Sequence, residues 1–334
     1  MGAVVDSGRE RAVPLDVPAK REIVARSSRG DRIFRGIVSA GALSSLVLLG
    51  LIAVFLIVRS GEIFGRFGLD FIFSSDWTAG AEADGSDSTF GVWAMLIGTI
   101  IVSLIAVIVA LPLAVGAALF IEFYLPERLR SAVRILVDIS AAVPSVVYGL
   151  WAVSIFSGAA SSWGELLHKF AGWFPLFGVE NEQYDRSPFV AGLVLAIMIT
   201  PIITSVSREV FSRTPPDLVN ASYALGGSRW GAIRNVVLPY GSSGVVGGTM
   251  LGLGRALGET VAVYLVLNLV FKPNFRILES QGGNVASLIA TKFGEASQYE
   301  IKALLAAGFV LFVLTMVVNM AATYIVQKKS PLES

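Results

Sequence analysis

The sequence of 334 residues is short of cysteine, histidine and charge. Because it has no cysteine, disulfides, thiolate metal ligands and thiol nucleophiles are excluded. A single histidine excludes a histidine-rich metal site. Charged residues make up only 15% of the chain, against roughly 25% in an average soluble domain. The 26 basic and 25 acidic residues nearly cancel, so a polybasic surface for nucleic acid is not expected.

Apolar residues are abundant instead: 54% of the chain is hydrophobic and the mean hydropathy is +0.70. A helix of about 20 apolar residues crosses the hydrocarbon core of a bilayer, and six stretches are long and apolar enough to do so. They are 37–58, 90–121, 131–156, 189–206, 243–268 and 303–326. The sequence therefore predicts an all-α integral membrane protein with six transmembrane helices in a membrane domain of residues 37–326.

Prolines and hydroxyl groups give some of these spans individual features. The second span is an uncharged run of 32 residues, about 48 Å of helix, so it should tilt, project beyond the lipid or break near Pro112. The fourth should kink at Pro201, where the Thr200 hydroxyl can bond a freed carbonyl. Ser145, Tyr148 and Thr200 can line a polar path, although Ser and Thr in membrane helices more often bond their own backbone.

The distribution of Lys and Arg predicts the orientation. Seventeen lie in the two terminal segments and in the connections after the second and fourth spans, and eight lie in the other loops. This bias places both termini in the cytoplasm. Residues 1–36 are predicted to be a mobile basic tail and 327–334 a second cytoplasmic tail. On the other side, residues 162–177 have apolar residues at helical spacing after Ser162, which predicts a short interfacial helix.

The connection of residues 207–242 has the pattern of two short helices. Asp217 is a candidate N-cap of the first helix, and Gly226 with the following glycine is a candidate stop. Ser228 can cap the second helix, which Pro239 should end. Its apolar face, formed by Trp230, Ile233 and Val237, permits two interpretations. The hairpin can dock into a groove on a soluble partner, or it can fold onto its own membrane domain.

Two charges lie inside the fifth span, Arg255 and Glu259, at a spacing that places them on one helix face. A charge in the bilayer costs several kcal/mol, so both should face the protein interior or a water-filled path. They can form a self-satisfied pair, or Arg255 can offer its planar fork of donors to an oxyanion while Glu259 accepts a proton from it. Gly244, Gly248 and Gly252 predict close packing against a second subunit.

The hairpin resembles the EAA loop of ABC importer permeases, whose pattern is Glu-Ala-Ala, three residues, Gly, nine residues and Ile-x-Leu-Pro. The matching positions are Asn220, Ala221, Ser222, Gly226 and Val236–Pro239, with Asn220 and Ser222 departing from the pattern. The resemblance implies the type I (MetI-like) importer fold. It also implies that the first short helix, from Pro216 to Leu225, inserts into a cleft of the ATPase subunit.

Three further stretches are similar to the PstC family, the permease subunits of bacterial phosphate-specific ABC importers. They are residues 73–77, 142–149 and 252–260. The resemblance implies a multi-pass protein of the bacterial inner membrane that forms half of a phosphate pore and binds no cofactor. It implies as partners a homologous PstA-type permease, two copies of a PstB-type ATPase carrying ATP and Mg, and an extracytoplasmic PstS-type phosphate-binding protein.

The chain lacks a Gly-x-x-x-x-Gly-Lys-Ser/Thr phosphate loop, so it is predicted not to be the ATP-hydrolysing subunit. Paired intramembrane aspartates and a nucleophile next to histidine are absent too, so no enzyme is expected. Two alternatives stay open. One is an ABC permease for another oxyanion, such as molybdate or sulfate. The other is an ion-coupled secondary transporter, which usually has more helices and repeat symmetry.

Overall fold

The computed structural model describes residues 29–80 and 85–329 of the chain, and helices dominate them. A two-stranded antiparallel sheet pairs Trp77 with Phe90 and Thr78 with Thr89. The elements are α1 (Arg29–Phe67), α2 (Asp70–Phe73), β1 (Trp77–Thr78), β2 (Thr89–Phe90), α3 (Trp93–Leu119), α4 (Glu127–Ala141), α5 (Ser145–Trp151), α6 (Ser157–Ala171), α7 (Pro188–Ser212), α8 (Pro216–Ala224), α9 (Arg229–Ala232), α10 (Leu238–Leu257), α11 (Val261–Val266), α12 (Val285–Lys292) and α13 (Gln298–Lys329).

Six helical stretches in this described part are long and apolar enough to cross a bilayer, as the sequence predicts. Three of them contain a π-helical turn that joins two α-helical pieces: α3 with residues 120–124, α5 with α6 through 152–156, and α9 with α10 through 233–237. The spans are Arg29–Phe67, Trp93–Tyr124, Ser145–Ala171, Pro188–Ser212, Arg229–Leu257 and Gln298–Tyr324.

The chain divides into two compact units, residues 1–52 and 53–334. The described part of the first unit is the beginning of helix α1, residues 29–52, and this helix starts eight residues before the predicted start of the first span. Its side chains in residues 29–52 are exposed, and those beyond Arg35 are uncharged and mostly apolar, which suits contact with lipid. The predicted tail of residues 1–36 therefore ends in a helix, and residues 1–28 lie outside the described part.

Helices α3 and α7 form the core of the second unit. Alanines at every fourth position of α3 are completely buried: Ala106, Ala110, Ala114 and Ala118. These small residues form one face of α3 and allow the backbone of α7 to approach closely. Neither internal proline breaks its helix, since α3 continues through Pro112 and α7 through Pro201.

The limits of the third predicted span, 131–156, are wrong, because the observed span is Ser145–Ala171. Helix α4 ends at Ala141, and a new helix starts after Pro144, which lies at its N-cap. Because proline favours the first turn of a helix and disrupts its interior, the crossing segment is Ser145–Ala171. The predicted separate helix at 162–177 is also wrong, because the crossing segment continues through these residues to Ala171. Ser162 lies inside α6, and its hydroxyl donates to the carbonyl of Gly158 (3.3 Å) instead of capping a new helix.

The fifth span also differs from its predicted range of 243–268. The helix begins at Arg229, passes Pro239 and ends at Leu257. Pro239 is tolerated because it is the second residue after the π turn of residues 233–237. In a π turn the hydrogen bonds join residues five apart, so the carbonyl that a proline ring would meet in a regular α-helix is displaced. The sixth span, α13, begins at Gln298, five residues earlier than predicted.

The glycine stripe of α10 faces α7 of the same chain, so the predicted packing against a second subunit is wrong for these three residues. A Cβ atom added to Gly244 would lie 2.1 Å from the Val210 side chain, and one added to Gly248 would lie 3.1 Å from Val206. A Cβ atom added to Gly252 would lie 3.0 Å from the Ile203 side chain. Sequence shows that such a stripe packs closely against something, and only the fold shows that its partner is α7.

Candidate functional site

The two charges of the fifth span lie on either side of a helix break. Arg255 is in the last turn of α10, which ends when the amide of Gly258 bonds the carbonyl of Gly254 (3.3 Å). Glu259 lies in the break, and α11 begins two residues later. Within the described residues no oxygen of Glu259 comes within 4.0 Å of the Arg255 guanidinium. The prediction that the two share a helix face is therefore wrong, because Gly258 ends the helix between them.

Glu259 is held firmly in place. Its side chain is 7% exposed, and its Oε1 accepts a hydrogen bond from the amide of Ala262 (3.2 Å) in the first turn of α11. Its own carbonyl accepts from the Asn284 side chain (2.7 Å), and Asn284 in turn caps α12. A carboxylate at a helix start satisfies free backbone amides. Glu259 thus links the break to the first turns of α11 and α12.

Arg255 has a different environment. It is partly buried, and its Nε is buried without a hydrogen-bond partner. The described chain supplies it with no carboxylate within 4.0 Å. An unpaired guanidinium inside a membrane domain is costly unless water or an anion solvates it. The arrangement leaves Arg255 able to bind an anion.

The other predicted pathway residues divide into two groups. Tyr148 donates to the carbonyl of Ser140 (3.0 Å), which ties α5 to the end of α4, and Ser145 begins α5 with its side chain half-buried. Thr200 does not join them. Its hydroxyl donates to the carbonyl of Ala196 (2.6 Å), and it lines a separate apolar groove.

The predicted hairpin has the expected first helix, α8, which ends one residue before the predicted Leu225. Gly226 has a φ of +83°, and the amide of Gly227 bonds the carbonyl of Ser222 (3.0 Å), which is the hydrogen bond of a glycine-terminated helix. Asp217 does not cap α8, because Pro215 precedes the first turn and Asp217 lies within it. A negative charge there still stabilises the helix dipole.

The second half of the hairpin folds onto the membrane domain. Ser228 accepts from the amide of Gly231 (3.1 Å), as predicted for its cap. Ile233 and Val237 are buried beside Phe211, whereas Trp230 is 56% exposed. None of the α8 side chains is buried, and Leu218, Tyr223 and the following Leu225 are exposed, Leu225 by 90%. The second half of the hairpin therefore folds onto its own membrane domain, and the first half leaves its apolar side chains exposed.

A charge cluster under α8 was missed by the sequence reasoning. Glu122, in the π turn after α3, pairs with Arg134 (2.6 Å) and Arg130 (3.6 Å) of α4. Glu122 and Arg130 line a cavity of about 250 Å³ that also contains Asn220. The sequence signal was Glu122 itself, the first charge after the long uncharged run. One turn further along α4, Asp138 accepts from Ser205 (2.7 Å) and lies 3.7 Å from Arg208 of α7.

Comparison with known proteins agrees with this architecture. Residues 110–331 match the family described as the binding-protein-dependent transport system inner membrane component. A phosphate transport system permease protein PstC 2 of Mycobacterium tuberculosis is 40% identical over 92% of this chain and 96% of its own length. A PstC protein of Pasteurella multocida is 37% identical over 86% of this chain and 89% of its own.

The chain belongs to the PstC family of binding-protein-dependent transport permeases. Members of this family are the membrane components of ABC transporters, so the chain is a multi-pass permease subunit and not an enzyme. The fold agrees with a crystal structure of a bacterial ABC transporter involved in alginate import, which covers 90% of this chain and 99% of its own with a TM-score of 0.54. At 16% identity this likeness concerns the fold alone.

Proposed function

We propose that this PstC-family permease forms half of the pore of an ATP-driven phosphate importer. The observation that carries the proposal is the unpaired guanidinium of Arg255 beside a helix break, in a chain whose relatives are named phosphate transport permeases. A planar guanidinium matches two oxygens of a tetrahedral oxyanion. Phosphate would pass Arg255 and the Tyr148 hydroxyl on its way through the pore.

The hairpin supports coupling to a separate ATPase. Helix α8 exposes an apolar surface, while the segment after α9 is anchored in the membrane domain at Ile233 and Val237. A pull on α8 would therefore reach α10, whose far end carries Arg255. ATP binding would close the ATPase dimer and move α8 together with α10, which would open the pore outward. ATP hydrolysis would return the pore to its inward-facing state.

The rest of the assembly follows from the same proposal. A PstA-type permease would complete the pore, two PstB-type ATPase subunits would bind ATP and Mg²⁺ below α8, and a PstS-type protein would deliver phosphate outside. Both termini would lie in the cytoplasm of a bacterial inner membrane, as the Lys and Arg distribution predicts. This chain would bind no cofactor.

Uptake of labelled phosphate tests the proposal. Cells that lack their own phosphate permease receive this chain with its partner subunits, and sulfate, molybdate and arsenate are added in excess as competitors. We expect uptake that depends on this chain and is inhibited by arsenate alone. An assembled complex that hydrolyses ATP but takes up a different oxyanion contradicts the phosphate assignment.

Arg255→Ala tests the site itself. We expect phosphate uptake to fall at least 100-fold, because the guanidinium has no equivalent among its neighbours, while Arg255→Lys retains a fraction through its single charge. Assembly is checked by co-purification with the ATPase. Unchanged uptake by an assembled Arg255→Ala complex would remove this residue from the pathway.

A further inference from the structure

A second cavity lies at the end of the membrane domain remote from α8. It has a volume of about 390 Å³ and is bordered by α11, α12 and the residue that precedes the N-cap of α7. Arg186, Tyr264 and Asn268 contribute to its lining. Helix α11 has six residues, roughly 9 Å of helix. The cavity therefore opens just beyond the short helix that separates it from the break at Arg255.

Arg186 carries a positive charge that this part of the chain does not neutralise. Its Nη1 donates to Oδ1 of Asn268 at 2.8 Å, and no carboxylate oxygen of the described residues lies within 4.0 Å. Arg276, another arginine at this end of the molecule, behaves in the opposite way. It pairs with Glu180 (2.7 Å) and Glu279 (3.5 Å), and the hydrogen bond and charge of Glu180 raise its pKa above the usual value.

The remaining lining of this cavity is neutral: three leucines are apolar, and two side chains, Asn268 and Tyr264, have donors not used elsewhere in the described chain. The Asn268 oxygen accepts from Arg186, which leaves its amide NH₂ group free to donate to another acceptor. The Tyr264 side chain is 51% exposed, and its hydroxyl bonds to none of the described residues. The acidic side chains nearby, Glu182 and Asp185, line an adjoining cavity that shares Arg186 and Asn268 with this one, but neither carboxylate lies within 4.0 Å of an Arg186 nitrogen. One cation with neutral donors and no carboxylate favours an anion.

We propose that Arg186, Asn268 and Tyr264 form an outer oxyanion subsite that holds phosphate before it reaches Arg255. The inference rests on the proposed phosphate function and extends it from one anion site to two in sequence. Two guanidiniums separated by a short helix allow an anion to leave the first as it approaches the second. The charge of each arginine lowers the cost of bringing a doubly charged anion out of water.

The test uses the complete complex in proteoliposomes, with phosphate-loaded binding protein outside and ATP on the ATPase side. Uptake is measured against the concentration of binding protein for wild type, Arg186→Gln and Arg186→Lys. Arg276→Gln is the matched control, because it removes an arginine whose charge is already neutralised. We expect Arg186→Gln to lower maximal uptake at least tenfold with an unchanged half-saturating concentration of binding protein. Arg186→Lys should retain most of the maximal uptake of wild type, and the maximal uptake of Arg276→Gln should stay within twofold of wild type.

Two results would overturn the subsite. A higher half-saturating concentration with unchanged maximal uptake would mean that Arg186 contacts the binding protein instead of the anion. Equal losses in Arg186→Gln and Arg276→Gln would mean a general effect on the outer loops. A wild-type complex that carries another oxyanion overturns the phosphate assignment alone, and the same comparison made with that anion then decides the subsite.

Discussion

Helices α8 and α10 both stop at a glycine, and the two stops differ in their surroundings. After α8, Gly226 takes a left-handed φ of +83°, and the preceding Leu225 is 90% exposed. After α10, Gly258 keeps an ordinary φ of −93°, and the following Glu259 is only 7% exposed and hydrogen-bonded at both its side chain and its carbonyl. The first stop leaves an apolar side chain exposed, and the second is followed by a buried, hydrogen-bonded carboxylate.

The difference follows from the solvent at each place. A break inside a membrane domain must satisfy its backbone groups within the protein, because lipid offers no hydrogen bonds. Glu259 and Asn284 do this for the α10–α11 break. The α8 stop needs only a residue that tolerates positive φ, since water or a partner satisfies the rest. Substitutions should therefore affect stability and transport together at the α10 stop, and only coupling at the α8 stop.

Glu259→Ala should have the largest effect. It removes the acceptor of the Ala262 amide and leaves that buried group unsatisfied, which costs about 1–3 kcal/mol. We expect a lower thermal midpoint of the purified complex and loss of uptake. Glu259→Gln is the matched control, because its amide oxygen can still accept the bond. A normal midpoint for Glu259→Ala would contradict a structural role for this carboxylate.

Glu259→Gln also separates the two roles of this residue. If Glu259 acts only by holding the break, the glutamine variant transports at close to the wild-type rate and with the same pH dependence. Loss of uptake at a normal thermal midpoint would show instead that the ionised carboxylate takes part in moving the anion.

Leu225→Asp should have an intermediate effect that spares stability. The side chain is almost fully exposed, so the change costs little in the isolated subunit, but it places a charge on the apolar surface that we propose contacts the ATPase. We expect uptake and substrate-stimulated ATP hydrolysis to fall about tenfold with an unchanged thermal midpoint. Leu225→Met, which keeps the apolar surface, serves as the control. Full uptake by the Asp variant would exclude this end of α8 from the contact.

Gly226→Ala should have the smallest effect. No atom lies within 4 Å of the added Cβ, so the cost is the left-handed backbone alone, about 1 kcal/mol. We expect two- to fivefold slower uptake, because α8 ends less well. Gly231→Ala, in a short helix with an ordinary φ and a 3.4 Å contact to Ser228, should be neutral. Equal effects of the two alanines would mean that backbone strain at Gly226 does not matter.

The sequence predicted the six spans better than their limits. Hydropathy counts apolar residues, so it joined residues 131–144 to the third span although Pro144 starts a new helix. It also carried the fifth span past Gly258, because the residues of α11 are as apolar as those of α10. The break depends on Asn284, which lies 25 residues from Glu259 in the chain, and local patterns carry no information about such a contact.

At the site, sequence identified the residue types and structure assigned their partners. The rarity of charge in the spans singled out Arg255 and Glu259, and the glycine and serine caps outlined the hairpin. The predicted pairing of Arg255 with Glu259 relied on a continuous helix and was lost with it. The sequence does not indicate a role for Arg186, because arginines are common in loops. In the structure its lack of a carboxylate partner distinguishes it from Arg276.

Sequence alone determined that this chain has six apolar spans and a hairpin of two short helices, because apolar length, charge distribution and turn residues are local properties; the permease assignment came from the resemblance of its motifs to a known family. The tertiary structure alone decided that the glycine stripe of α10 packs on α7, that α8 is exposed while Ile233 and Val237 are buried, and that Glu259 is bonded while Arg255 is free. These features depend on which segments, distant in sequence, pack together. An apolar or charged residue is compatible with several environments, and only the packing determines which of them it occupies.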